Sequence, residues 1–261
     1  MDLQLKHKTV LVTGANRGTG EVIAETLAAE GANVIVHANE PGGADAVAER
    51  IGGTAVAGDI RSDEGAKKVV AATLAAAPDL SILINNYGTG SVGSWASVGE
   101  KEFIAMYQTN VLSASRMVQG LVQTIKAQGW GRIVQLGTIG SHQPNSTMPH
   151  YYASKGALAT LMVGLANELA GTGITVNTVS PGLIHTEEVE QSFRKMAFKK
   201  GWGEDWNDIV AQFVASEYPN PSGRIASRQE VADLVVYLAS PKADFINGQN
   251  IRIDGGAVRY V

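Results

Sequence analysis

The chain is 261 residues long, 44% hydrophobic and 18% charged, with a formal net charge of −4 and no cysteine. That length suits one domain with a sizeable core. The charge balance offers no attraction to nucleic acid or an anionic membrane surface, and the lack of cysteine excludes disulfides, thiolate catalysis and Cys-ligated zinc.

Residues 1–8 are polar and lead straight into an apolar strand, so no signal peptide is read there. No apolar run approaches the ~18 residues that a membrane helix needs. A cytoplasmic protein is therefore expected. The Asn145-Ser146-Thr147 sequon, without an export signal, is read as an ordinary loop.

Along the chain, short β-rich runs alternate with longer helical ones. A strand over 9–12 is followed by a glycine-rich turn and a helix over 21–30, which Gly31 stops. Strands are predicted over 33–36, 54–57 and 81–84, then a long helix over 100–126. A strand over 132–136, a helix over 151–170 and a strand over 174–179 follow. Helix returns over 229–239, and a last strand covers 250–253. Apolar strands separated by helices imply a parallel sheet covered on both faces. The expected fold is α/β, a Rossmann-type doubly wound sheet, and residues 1–261 form a single domain without linker or repeat.

Residues 187–224 are long for a connector and read as a substrate lid over the C-terminal edge of the sheet. Trp202, Trp206 and Phe213 in this stretch either roof a substrate or pack within the lid or against another subunit. The five histidines show no pair at ligand spacing, so no metal site is expected. His142 and His150 either line a pocket or serve as plain loop residues.

The first turn runs Thr13-Gly14-Ala15-Asn16-Arg17-Gly18-Thr19-Gly20. Its glycines permit a sharp turn and a close backbone approach to a pyrophosphate, with the following helix N-terminus presenting free N–H groups. A glycine trio alone also fits a ligand-free turn; the strand–turn–helix context points to a dinucleotide. Farther on, Tyr151 and Lys155 stand four apart on a helix and share a face. Reducing a ketone leaves an alkoxide that needs a proton. Tyrosine, with a pKa of about 10, becomes a better acid–base group if a cationic lysine draws that pKa down. Tyr152 lacks such a partner and reads as packing. Alone, the pair is common on amphipathic helices.

Together the Gly-x-x-x-Gly-x-Gly turn, the Tyr-x-x-x-Lys pair and Thr138, thirteen residues before Tyr151, resemble the short-chain dehydrogenase/reductase family. The resemblance runs from Lys8 to Asp254-Gly255-Gly256 and is nearest to the 3-oxoacyl-carrier-protein reductases and related ketone reductases. It implies that Tyr151 donates the proton, that Lys155 binds the nicotinamide ribose, and that Thr138, where the family usually has serine, orients the carbonyl. Ser141 is a weaker candidate for that last role. Asn110 would hold the water of a proton relay to Lys155.

The resemblance also implies a cofactor site. Gly14, Asn16, Arg17, Gly18, Thr19 and Gly20 would bind the pyrophosphate end, with His37 and Asn39 at the end of the second strand. Asp59 and Ile60 would meet adenine. Asn86, Tyr87 and Gly88 stand in Asn-Asn-Tyr-Gly, where Tyr87 replaces the usual alanine and either flanks the cofactor or points outward. Pro181, Gly182, Ile184 and Thr186 would meet the nicotinamide. Ala38 occupies the position of the acid that NAD-preferring members use, and Arg17 suits a 2′-phosphate; both favour NADP(H), although Glu40 could reach the ribose.

The expected activity is NADP(H)-dependent reduction of a small-molecule ketone, of carbonyl or 3-oxoacyl type. An NAD-dependent alcohol or sugar-alcohol dehydrogenase is the alternative, and a non-catalytic nucleotide sensor a remote one. Family resemblance further implies a homotetramer built through the helices at 100–127 and 151–170.

Overall fold

The computed structural model describes residues 1–260. Its strands are β1 (Thr9–Val12), β2 (Asn33–Ala38), β3 (Thr54–Ala57), β4 (Ile82–Asn85), β5 (Gly131–Leu136), β6 (Ile174–Pro181) and β7 (Asn250–Ile253). They pair in parallel in the order β3-β2-β1-β4-β5-β6-β7. Because successive strand residues face opposite ways, β1 feeds both layers. Val10 and Val12 pack with Ile23 and Leu27 of α1 (Gly18–Ala29), while Leu11 turns to the other core with Leu83 and Ile133.

Two helices not singled out by the apolar pattern, α2 (Asp45–Ile51) and α3 (Asp63–Ala76), complete the first crossovers. The single helix expected over 100–126 is in fact interrupted. α4 (Glu100–Tyr107) passes through a π-helical turn, Gln108–Leu112, into α5 (Ser113–Ala127). Such one-turn bulges recur at functional sites, and this one carries Asn110. α6 (Pro149–Glu168) starts at Pro149, whose missing N–H costs nothing in a first turn.

The 187–224 stretch folds into α7 (Glu187–Lys200) and α8 (Trp206–Ser216) before α9 (Arg228–Leu238) rejoins the main core. α7 and α8 have their own cluster of Phe193, Ala197, Ile209, Val214 and Ile225, with Trp202 and Trp206 packed against it. The tryptophans thus serve the core of this helix pair. Trp206 also stacks on His185, with ring centres 4.6 Å apart. Among the described residues, no helix is long and apolar enough to cross a membrane, and no cluster of side chains could hold a metal.

Candidate active site

The sheet reverses its winding at β1, whose neighbours β2 and β4 lead in opposite directions, and a cleft opens above that point. Gly14 and Gly18 take φ of 61° and 64°, conformations that side chains resist. A Cβ on Gly20 would stand 2.3 Å from Asn86 Nδ2 and 2.5 Å from the Gly14 carbonyl. Asn86 closes the turn by donating from Nδ2 to the carbonyls of Thr13 (3.0 Å) and Gly14 (2.9 Å). Arg17, at the N-cap of α1, caps no N–H with its side chain. The first-turn N–H groups are therefore available to an anion.

His37 is fully buried behind this turn. Its Nδ1 accepts from the Gly14 N–H (3.1 Å), so Nε2 carries the proton and donates to the Gly58 carbonyl (2.9 Å). Burial pushes its pKa down, which keeps the ring neutral. The expectation of a cofactor contact at His37 is thereby corrected: the residue is a strut under the turn.

Tyr87 turns inward, edge-on to His37 with centroids 6.3 Å apart, and its hydroxyl accepts from Asn39 Nδ2 (2.8 Å). Asn39 Oδ1 is buried without a partner. Arg17 lies at the cleft mouth, 3.7 Å from Glu188 of α7. Asp59 is held by Arg61 at 2.8 Å, which keeps its carboxyl below the ordinary range. Ile60 is buried. Asp59 and Ile60 lie outside the lining of the glycine-turn cleft.

The cleft continues into a cavity of about 1050 Å³ that holds Thr138, Tyr151 and Lys155. Tyr151 is hydrogen-bonded to the Thr138 side chain, and burial pushes its pKa up to about 12. Thr138, in extended backbone, also accepts from the Gly140 N–H (3.2 Å). Ser141 bends away and donates to the Thr138 carbonyl (2.7 Å). Lys155 donates to the Leu136 carbonyl at 2.9 Å, and desolvation lowers its pKa to about 8. Burial is the largest influence on the Tyr151 phenol, and the Lys155 ammonium is directed at a carbonyl.

Asn110 is fully buried. Its Oδ1 accepts from the Thr89 N–H, and its Nδ2 donates to the Thr89 carbonyl and to Ser154 Oγ. A Cβ on Gly88 would lie 2.8 Å from Asn110 Oδ1 and 3.1 Å from Lys155 Nζ. Gly88 thus packs closely against both side chains.

Pro181, Gly182, Ile184 and Thr186 border the same cavity. Tyr152, read as packing, also lines it; its ring lies 5.5 Å from that of Tyr151, and it hydrogen-bonds Asn145. Gln143 and residues 257–259 line it as well. These sit in loops with no periodicity to mark them. His142 and His150 do not line it; His150 instead bonds Ser91 through Nε2 at 2.8 Å.

Residues 14–258 match the family model described as Enoyl-(Acyl carrier protein) reductase. An uncharacterized oxidoreductase of Bacillus subtilis, YvrD, is 34% identical, with 99% of each chain covered. The 3-oxoacyl-[acyl-carrier-protein] reductase of Escherichia coli is 32% identical over 97% of this chain and 98% of its own. Among solved structures, L-sorbose reductase from Gluconobacter frateurii, complexed with NADPH and L-sorbose, superposes with a TM-score of 0.91 at 30% identity over the whole of both chains. A 3-oxoacyl (acyl-carrier-protein) reductase from Agrobacterium tumefaciens with NADP bound gives 0.86 at 31%, covering 97% of this chain and 95% of that one.

Proposed function

The chain belongs to the short-chain dehydrogenase/reductase family, and from that premise we propose that it reduces a ketone to a secondary alcohol with NADPH, Tyr151 being the proton donor. The reading is carried by one observation: Tyr151, Thr138 and Lys155, with Asn110 behind them, meet at one end of a cleft whose other end is the uncapped N-terminus of α1.

The residues present suit the cofactor. The close approaches at Gly14 and Gly20 leave room for no side chain, and Asn39 Oδ1 is a buried acceptor still lacking a donor. The turn from Gly14 to Gly20, including Asn16 and Thr19, would hold the pyrophosphate, with Arg17 at the 2′-phosphate and Asn39 Oδ1 accepting from the remaining hydroxyl of that ribose. Asn86, Tyr87 and Gly88 would flank the ribose, and Pro181, Gly182, Ile184 and Thr186 the nicotinamide. NADPH, when bound, supplies the hydride.

The rest is the chain's own work. A phenol with its pKa near 12 is protonated at neutral pH, the form that a proton donor to the developing alkoxide needs. Thr138 hydroxyl orients the carbonyl oxygen toward it. Lys155, with its pKa near 8, exchanges protons close to neutrality and can restore the phenol, with Asn110 close by across Gly88.

The named relatives act on 3-oxoacyl thioesters and L-sorbose, so the assay is NADPH oxidation with a panel of simple ketones, ketoses and 3-oxoacyl thioesters. Tyr151→Phe is expected to lose at least about 100-fold in kcat, the scale of a general acid, while its NADPH affinity is unchanged. Undiminished turnover in that variant would overturn the assignment. Glu40 in the cleft wall supports a second reading, an NAD-dependent alcohol or sugar-alcohol dehydrogenase; a higher kcat/KM with NADH than with NADPH would select it. A nucleotide sensor would have no use for the four assembled side chains. We place the enzyme in the cytoplasm, in keeping with its lack of cysteine. A homotetramer is supported by Ile104, Tyr107, Leu112 and Leu161, apolar side chains left exposed on the helices named above.

A further inference from the structure

The substrate end of the cavity is walled by Ala257, Val258 and Arg259, which follow β7 and the Asp254-Gly255-Gly256 turn. This segment is anchored at both ends. At its root, Asp254 accepts from the N–H groups of Gly256 (3.0 Å) and Val258 (2.9 Å). The Gly255 carbonyl accepts from the Ser222 N–H (3.1 Å), and a Cβ on Gly256 would stand 2.9 Å from Pro221. The root is thus fixed to the turn that follows α8.

At its tip, Arg252 donates to the Tyr260 carbonyl (2.9 Å) and lies over the Tyr260 ring. The Tyr260 hydroxyl donates to the His142 carbonyl. His142 belongs to the loop that leaves Thr138 and brings Gln143 and Asn145 to the same cavity. Residues 257–260 therefore tie together the lid, the sheet edge and the catalytic loop, with Val258 only 7% exposed between them.

We infer that residues 257–260 form a strap that sets how large a substituent the ketone can carry, with Val258 as its gauge and Tyr260 as its buckle. Val258, Phe213 of α8 and Met148 line the same cavity as Tyr151 and offer the larger substituent of the ketone an apolar surface. A wall held by hydrogen bonds at root and tip yields little, so a single methylene in the substrate is felt; such a difference changes kcat/KM by about 10–200-fold.

The inference rests on the ketone-reductase reading, and its test separates the two. Wild type, Val258→Ala, Val258→Phe and Tyr260→Phe are assayed on ketones of increasing chain length, with NADPH affinity read from the fluorescence of the bound cofactor. The ratio of kcat/KM for the longest ketone to that for the shortest should fall about tenfold in Val258→Phe and rise in Val258→Ala. Tyr260→Phe should raise KM for every ketone while kcat falls less, because the loop after Thr138 loses its tie. NADPH affinity should not move in any of them. An unchanged size ratio in both Val258 variants overturns the strap, as does an NADPH affinity that falls in step with KM. A wild type that reduces no ketone overturns the underlying reading and the strap with it.

Discussion

Lys155 keeps its ammonium almost wholly out of water, and the consequence reaches beyond catalysis. Its pKa falls from 10.5 in an unfolded chain to about 8 in the fold. Between those values the unfolded chain binds more protons, so stability rises as pH climbs from 8 toward 10.5. At neutral pH the buried charge costs the whole difference, roughly 3 kcal/mol. Lys155→Met should therefore melt several degrees higher than wild type at pH 7, while ketone reduction is lost. Calorimetry at pH 7 and pH 10 checks this: the gain should shrink at the higher pH, and a variant no more stable than wild type at pH 7 would refute it. Tyr151 is perturbed in the opposite sense by the same cause. Spacing on a helix brought the two residues to one face, but it said nothing of which group burial would dominate.

At the level of whole elements, the α7–α8 pair is a small structure resting on a large one. Phe193 is 4% exposed and stacked on Phe213, with centroids 3.9 Å apart. Truncating such a ring leaves a cavity costing about 3–5 kcal/mol. Because the α7–α8 core is separate from the two cores of the sheet, that loss should open the lid locally. Phe193→Ala is expected to be cut by protease between residues 187 and 224 much faster than wild type, with its sheet signal in circular dichroism unchanged. Equal cleavage rates would count against an α7–α8 pair that opens independently. The strands were legible because buried parallel strands are apolar along their length, and structure within 187–224 because a connector of that size needs a core of its own. The break at Gln108–Leu112 was not, since a π turn adds one residue to a helix without changing its composition. His37 and Tyr87 were misjudged or left open for a related reason. Their orientation depends on β2 and β4 flanking β1, a neighbourhood that sequence order hides.

On the scale of the whole molecule, five of the large apolar side chains left exposed lie along one set of helices. Ile104, Tyr107, Leu112, Leu161 and Val163 are 37–53% exposed on α4, the π turn and α6. If these faces join copies of the chain, Leu112→Glu with Leu161→Glu should lower the mass found by light scattering to that of a dimer or monomer; a wild type that is already monomeric would exclude the tetramer.

β1, although made early, lies in the middle of the sheet, and one of its two partners is β4, with Val10 aligned to Ile82. The glycine turn at its tip is closed by Asn86, 72 residues beyond Gly14. Closing a loop of that size must precede the contacts that reward it, and such non-local pairing slows folding. Helices can form locally beforehand, yet a refolding chain gains its central strand and its nucleotide cleft in the same late event.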